Sequence, residues 1–91
     1  MSASFDKLKA MLEEKGSLAT EDIEGVVKSD GAMTPQESME LESLRLKKGD
    51  GRVKVTMEAY LEASKVLDSA AEGSDEYKKA EAIVNAFEAG A

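Results

Sequence analysis

The sequence predicts an all-α domain with four main helices and one short helix, in a bundle-like or orthogonal array. At most a two-residue β-bridge would join its two Asp-Gly turns. Three observations carry this expectation. The run Thr34-Pro35-Gln36-Glu37 is a complete helix start: Thr as N-cap, Pro where its missing N–H costs nothing, and Glu placed to close a capping box. Elsewhere, large apolar residues recur at spacings of three, four and seven. Period-two alternation is confined to Val53 and Val55, too short to build a sheet.

In chain order, Ser4 is placed to cap a helix over 5–15, with Phe5, Leu8, Met11 and Leu12 on one face and Gly16 as its stop. Residues 17–19 connect. Thr20 is placed to cap a short helix over 21–29, with Glu21, Asp22 and Glu24 in the first turn and Ile23, Val26 and Val27 on the apolar side. Two β-branched valines in so short a helix make it dependent on tertiary contacts.

The helix from Thr34 to Gly49 has two narrow apolar faces. Met39 and Leu46 share one, while Leu41 and Leu44 point roughly the opposite way. Such a helix wants neighbours on both sides: two layers of its own domain, or one layer and a partner. Thr56 starts the next helix, over 57–72, with a stripe of Met57, Tyr60, Leu61, Ser64, Leu67 and Ala71, leaving Val66 off it. Val55 and Tyr60 are spaced as a hydrophobic staple. Ser74 opens the last helix, with Tyr77, Ala80, Ile83, Val84 and Phe87 on one face; about two linking residues make the last pair an antiparallel hairpin. The whole of 1–91 reads as one domain, frayed at 1–3 and 90–91.

Composition excludes several functions. With no His and no Cys, the usual general base, thiolate nucleophile and thiolate zinc ligands are missing, so no catalysis, metal site or cofactor is expected. A net charge of −7 argues against non-specific nucleic-acid binding. No stretch approaches the ~20 apolar residues of a membrane span, and the first residues lack the apolar run of a signal peptide. The expectation is a cytoplasmic protein.

One local pattern suggests another reading. Asp30-Gly31-Ala32-Met33-Thr34-Pro35-Gln36-Glu37 has the order of the second half of a calcium-binding loop, ending on the acid that would be a bidentate ligand, and Asp50-Gly51-Arg52-Val53 repeats its start. This part resembles the EF-hand family, and Gly49 to Val53 is similar to dockerin repeats; Met33 and Val53 would form the bridge between loops. Carried back, the first and third loop positions fall on Val26 and Lys28, and in the second loop on Leu46 and Lys48. Those residues offer no oxygen ligand, so the resemblance implies a metal-free helix-loop-helix and argues against calcium. Ser69, in Leu67-Asp68-Ser69-Ala70, lies late in its helix and lacks the leucine that follows the prosthetic-group serine of acyl carrier proteins.

The sharpest asymmetry is electrostatic. Arg45, Lys47, Lys48, Arg52 and Lys54 are opposed over 45–54 by Asp50 alone, so this window carries +4 and the rest of the chain −11. The expected function is a non-catalytic protein–protein interaction module, binding a protein partner or a second copy of itself. Met39 with Leu46, or Leu41 with Leu44, would supply apolar contact; Arg45, Lys48, Arg52 and Lys54 would orient the encounter. The alternatives are the EF-hand-like protein and a small acidic inhibitor that imitates nucleic-acid charge.

Overall fold

A computed structural model of the chain describes residues 2–49 and 55–90. They form five helices, α1 (Ala3–Lys15), α2 (Thr20–Asp30), α3 (Pro35–Lys47), α4 (Met57–Ser69) and α5 (Asp75–Gly90), with no strand among the described residues. The bridge expected between residues 32–33 and 53–54 falls on one side outside them.

The helix ends show how the sequence sets the elements. Thr34 Oγ1 accepts from the Glu37 N–H at 3.2 Å, and a Glu37 carboxylate oxygen accepts from the Thr34 N–H at 2.9 Å, which is the expected capping box. Thr56 caps α4 through the Ala59 N–H, and Ser74 caps α5 through the Tyr77 N–H, each at 3.2 Å. Gly16 ends α1 at φ +79°, a conformation that a side chain would strain.

Three boundaries differ from expectation. Ser2, not Ser4, caps α1, which begins at Ala3, and Ser4 is buried, its hydroxyl donating to the Gly31 carbonyl. Ala19, not Thr20, occupies the N-cap of α2, and the Asp22 carboxylate reaches back to accept from the Ala19 N–H at 3.1 Å; no side chain caps the helix from the N-cap position. Helix α4 stops at Ser69, where Ala70 turns extended, so residues 70–74 join the last two helices rather than about two.

Helix α3 is the middle layer. On one side Leu41 joins Phe5, Leu8, Leu12, Leu18 and Val26, with Leu44 packed against them. On the other, Met39 joins Ala59, Ala63, Ala80 and Ile83, with Leu46 packed against them. The two narrow faces read from the sequence are therefore both covered by the chain's own helices. The last two helices pack on each other and both pack on α3; Tyr60 stacks on Phe87 with ring centroids 4.3 Å apart.

The register of α4 is the main correction to the core. Met57 and Leu61 lie 58% and 53% exposed, while Ala59 and Ala63 are fully buried and Val66 packs inward beside Leu67. Two alanines one turn apart let α4 approach its neighbours closely, so backbone proximity rather than side-chain size chose the buried face.

Glu37 also joins two helices, because its second oxygen accepts from the Ser2 N–H at 2.6 Å. The backbone N–H groups of Ser2 and Thr34 hold its pKa near 2, outweighing the cost of covering the carboxylate.

Two outcomes test this arrangement. Ala63→Leu should overpack the α4 interface and cost about 1–3 kcal/mol, whereas Leu61→Ala should change stability by less than about 0.5 kcal/mol; chemical denaturation of both variants checks the register. Glu37→Gln should destabilise the fold at neutral pH. Because the Glu37 pKa is lowered, its stabilisation is complete above the ordinary carboxylate range and fades as pH falls toward 2, so the gap between variant and parent should close over that acid range in pH-dependent melts.

Candidate functional site

Helix α2 packs on α1, and α1 packs on α3, but α2 stands off from α3. The space between is a groove of about 370 Å³. Its walls follow helical spacing: α2 presents Thr20, Ile23, Glu24 and Val27, and α3 presents Ser38, Leu41, Glu42 and Arg45. Ala32 and Met33 close one end, and Thr56 and Glu58, at the start of α4, border it. The expected α2 face splits accordingly: Val26 enters the core, while Ile23 and Val27 are half-buried and line the groove.

The groove holds the structure's most unusual acid. Glu42 is 5% exposed. Its two oxygens accept from the Thr56 N–H at 3.0 Å and the Thr56 hydroxyl at 3.2 Å, so a carboxylate of α3 holds the cap of α4. Burial pushes its pKa up to about 7, against the opposing pull of the Thr56 donors and the Arg45 charge.

Arg45 departs from its expected place in an exposed basic loop. It is 3% exposed, and its Nη2 donates to the Leu18 carbonyl at 2.9 Å, tying α3 to the connector before α2. Of the other expected contact residues, Met39 and Leu41 are buried in the two clusters, and Leu44 and Leu46 are half-buried against them. Lys48 is exposed beside Gly49. Arg52 and Lys54 lie outside the described residues.

Positive charge does gather at the end of α3, but from several elements. One hollow of about 270 Å³ is lined by Lys9, Glu13, Lys47 and Lys48 with Leu12 and Leu44. Another, of about 440 Å³, is lined by Lys47, Asp75, Lys78 and Lys79 with Ser43, Leu46 and Ala82. In the second, Lys79 is engaged by Glu40 at 2.9 Å. Neither hollow has the groove's enclosed acid or its larger apolar wall.

The EF-hand likeness does not extend to loop geometry. Residues 26–30 are the last turn of α2, and only residues 31–34 connect it to α3, so a twelve-residue loop is not formed there. Among the described residues, no group of three or more acids is arranged to hold a metal ion. None of their helices is long and apolar enough to cross a membrane.

Glu42 is not among the site residues expected from the sequence. A signal was present: Glu42 lies three residues after Met39 and four before Leu46, and three before Arg45, which places a paired acid and base between the two apolar faces. The exposed Met57 and Leu61 were missed because their size suggested core.

No protein-family model, curated protein or solved structure matches the chain.

The Glu42 site makes a signed prediction. A raised carboxyl pKa means that the folded state binds the proton more tightly, so ionised Glu42 destabilises it; that penalty is absent below the ordinary carboxylate range, grows with pH, and is complete above about 7. Glu42→Gln keeps an acceptor for the Thr56 N–H and mimics the protonated acid. It should raise stability at pH 8 by roughly 2–3 kcal/mol and leave it little changed near pH 5, as measured by denaturation at both pH values.

Proposed function

We infer that the chain is a non-catalytic protein-interaction module that docks a partner in the groove between α2 and α3. The observation that carries this reading is the groove's apolar wall. Ile23, Val27 and Met33 are only half-buried and border this open space, with the buried Leu41 also in its wall. Docking would remove this surface from water, at about 25 cal/mol per Å² of apolar area.

The surface extends onto α4. Glu58 borders the groove; Leu61 lies three residues on, and Met57 and Leu61 are one turn apart. An anchor in the groove and two exposed hydrophobics beside it form a patch of the kind that marks interaction sites. Lys48 supports a second, orienting role at the positive end of α3, and Arg52 and Lys54 follow it in sequence. Charges at such a rim govern encounter more than affinity.

This placement differs from a docking role for the faces of α3 themselves, since Met39 and Leu41 already serve the core. The reading is tested by photo-crosslinking in the source cell, with reactive residues at exposed positions 32 and 61 and controls at exposed positions 81 and 88 of α5. A discrete protein crosslinked from 32 and 61 but not from the controls is expected, and Leu61→Asp should reduce that capture about tenfold without lowering the melting temperature. Equal crosslinking from all four positions, or none, would overturn it.

A further inference from the structure

We propose that the groove between α2 and α3 receives a basic, amphipathic segment of a protein partner, with its apolar side chains against Ile23 and Val27 and its cations over Glu24 and Glu58. This rests on the docking reading above and names the chemistry of the occupant.

Two properties of the groove select that occupant. Its apolar surface comes from Ile23 and Val27, one turn apart on α2, and from Met33 at the groove's end, which suits a segment that places its hydrophobic residues on one face. Its charge is unbalanced. Among the described lining residues Glu24, Glu42 and Glu58 are acids and Arg45 is a base. Arg45 is directed to the Leu18 carbonyl, so its guanidinium serves the fold. Glu24 and Glu58 are exposed and border the groove from two elements, one on α2 and one on α4. An incoming acid would face like charge from both rims, whereas a lysine or arginine would meet complementary charge from either. The same asymmetry disfavours a second copy of the chain, whose exposed surface is acidic overall.

The test uses the full chain and a synthetic helical peptide of leucine and lysine, with a leucine–glutamate peptide of the same pattern as its counterpart. Fluorescence anisotropy near physiological salt measures affinity, and amide chemical shifts locate the contact. The leucine–lysine peptide should bind and shift residues of α2, α3 and the start of α4, while the leucine–glutamate peptide should not bind. Glu24→Gln with Glu58→Gln should weaken binding about tenfold. Glu81→Gln with Glu88→Gln, which removes the same charge from the exposed face of α5, should leave it unchanged. Ala32→Trp, at an exposed position on the groove's end, should obstruct binding while the melting temperature is retained.

Equal losses from the two glutamate pairs would show attraction to net charge alone and overturn the proposal. Preference for the leucine–glutamate peptide, or concentration-dependent shifts in the groove of the unmixed protein that reveal a second copy there, would overturn it as well. If the crosslinked protein of the previous test persists while these peptide results fail, docking stands and the occupant's chemistry is different.

Discussion

A helix packed on two opposite sides has only two lateral strips left for polar groups. That constraint governs this fold. In α3 one strip is open and carries Lys47 at its exposed end and Glu40, which is tied to Lys79 of α5. The other carries Ser38, Glu42 and Arg45, and it faces the groove. Polar groups on that second strip cannot all reach bulk water, so they must be satisfied by the ends of neighbouring segments. Arg45 does this at the Leu18 carbonyl and Glu42 at Thr56. The two clusters of aliphatic residues supply the burial, and the lateral contacts fix how the adjoining segments enter it.

The two covered carboxylates of α3 show that similar exposure can have opposite electrostatic outcomes. Glu37 and Glu42 are both 5% exposed and both hold the start of a neighbouring helix. Glu37 accepts from two backbone N–H groups on two helix starts, where the dipoles also favour negative charge. Glu42 receives both of its bonds from the single residue Thr56, deeper in the groove wall, and desolvation dominates. Each carboxylate accepts two hydrogen bonds; the two backbone N–H donors outweigh desolvation at Glu37, whereas desolvation outweighs the donors at Glu42, and that balance separates a strong acid from one that titrates near neutrality.

Much of the layer order was legible in the sequence because it depends on periodicity. Met39 with Leu46 and Leu41 with Leu44 each found the side that their spacing required, and Thr34, Thr56 and Ser74 started the helices they head. The register of α4 was not legible in the same way. Size favours Met57 and Leu61 as core, but close helix approach favours Ala59 and Ala63, and only tertiary geometry decides between them. The groove was hidden for a related reason. Ile23, Val26 and Val27 form one apolar side in the sequence, yet Val26 alone of the three is buried and the other two are half-buried. Glu42 and Arg45 looked like surface charges because their partners, Thr56 and Leu18, are distant in sequence and offer ordinary hydroxyl and backbone groups.

Helix α2 links these features to binding. It is short, contains two β-branched valines, and packs chiefly on α1, with Val26 reaching the cluster that Leu41 of α3 joins. Its far end is fixed by the Ser4 hydroxyl at the Gly31 carbonyl and by a 3.7 Å ion pair between Lys7 and Asp30. The connector before it is fixed by Arg45. Between those anchors, one side faces α1 and the other faces the groove. An occupant of the groove therefore supplies the second packing surface that α2 lacks, and contact with Ile23 and Val27 favours the folded helix as well as the complex. Any ligand that binds this folded arrangement and not the unfolded chain must stabilise it by mass action. In the proposed complex, recognition and completion of the N-terminal layer would be one energetic event, set by the position of α2 across an incompletely filled groove.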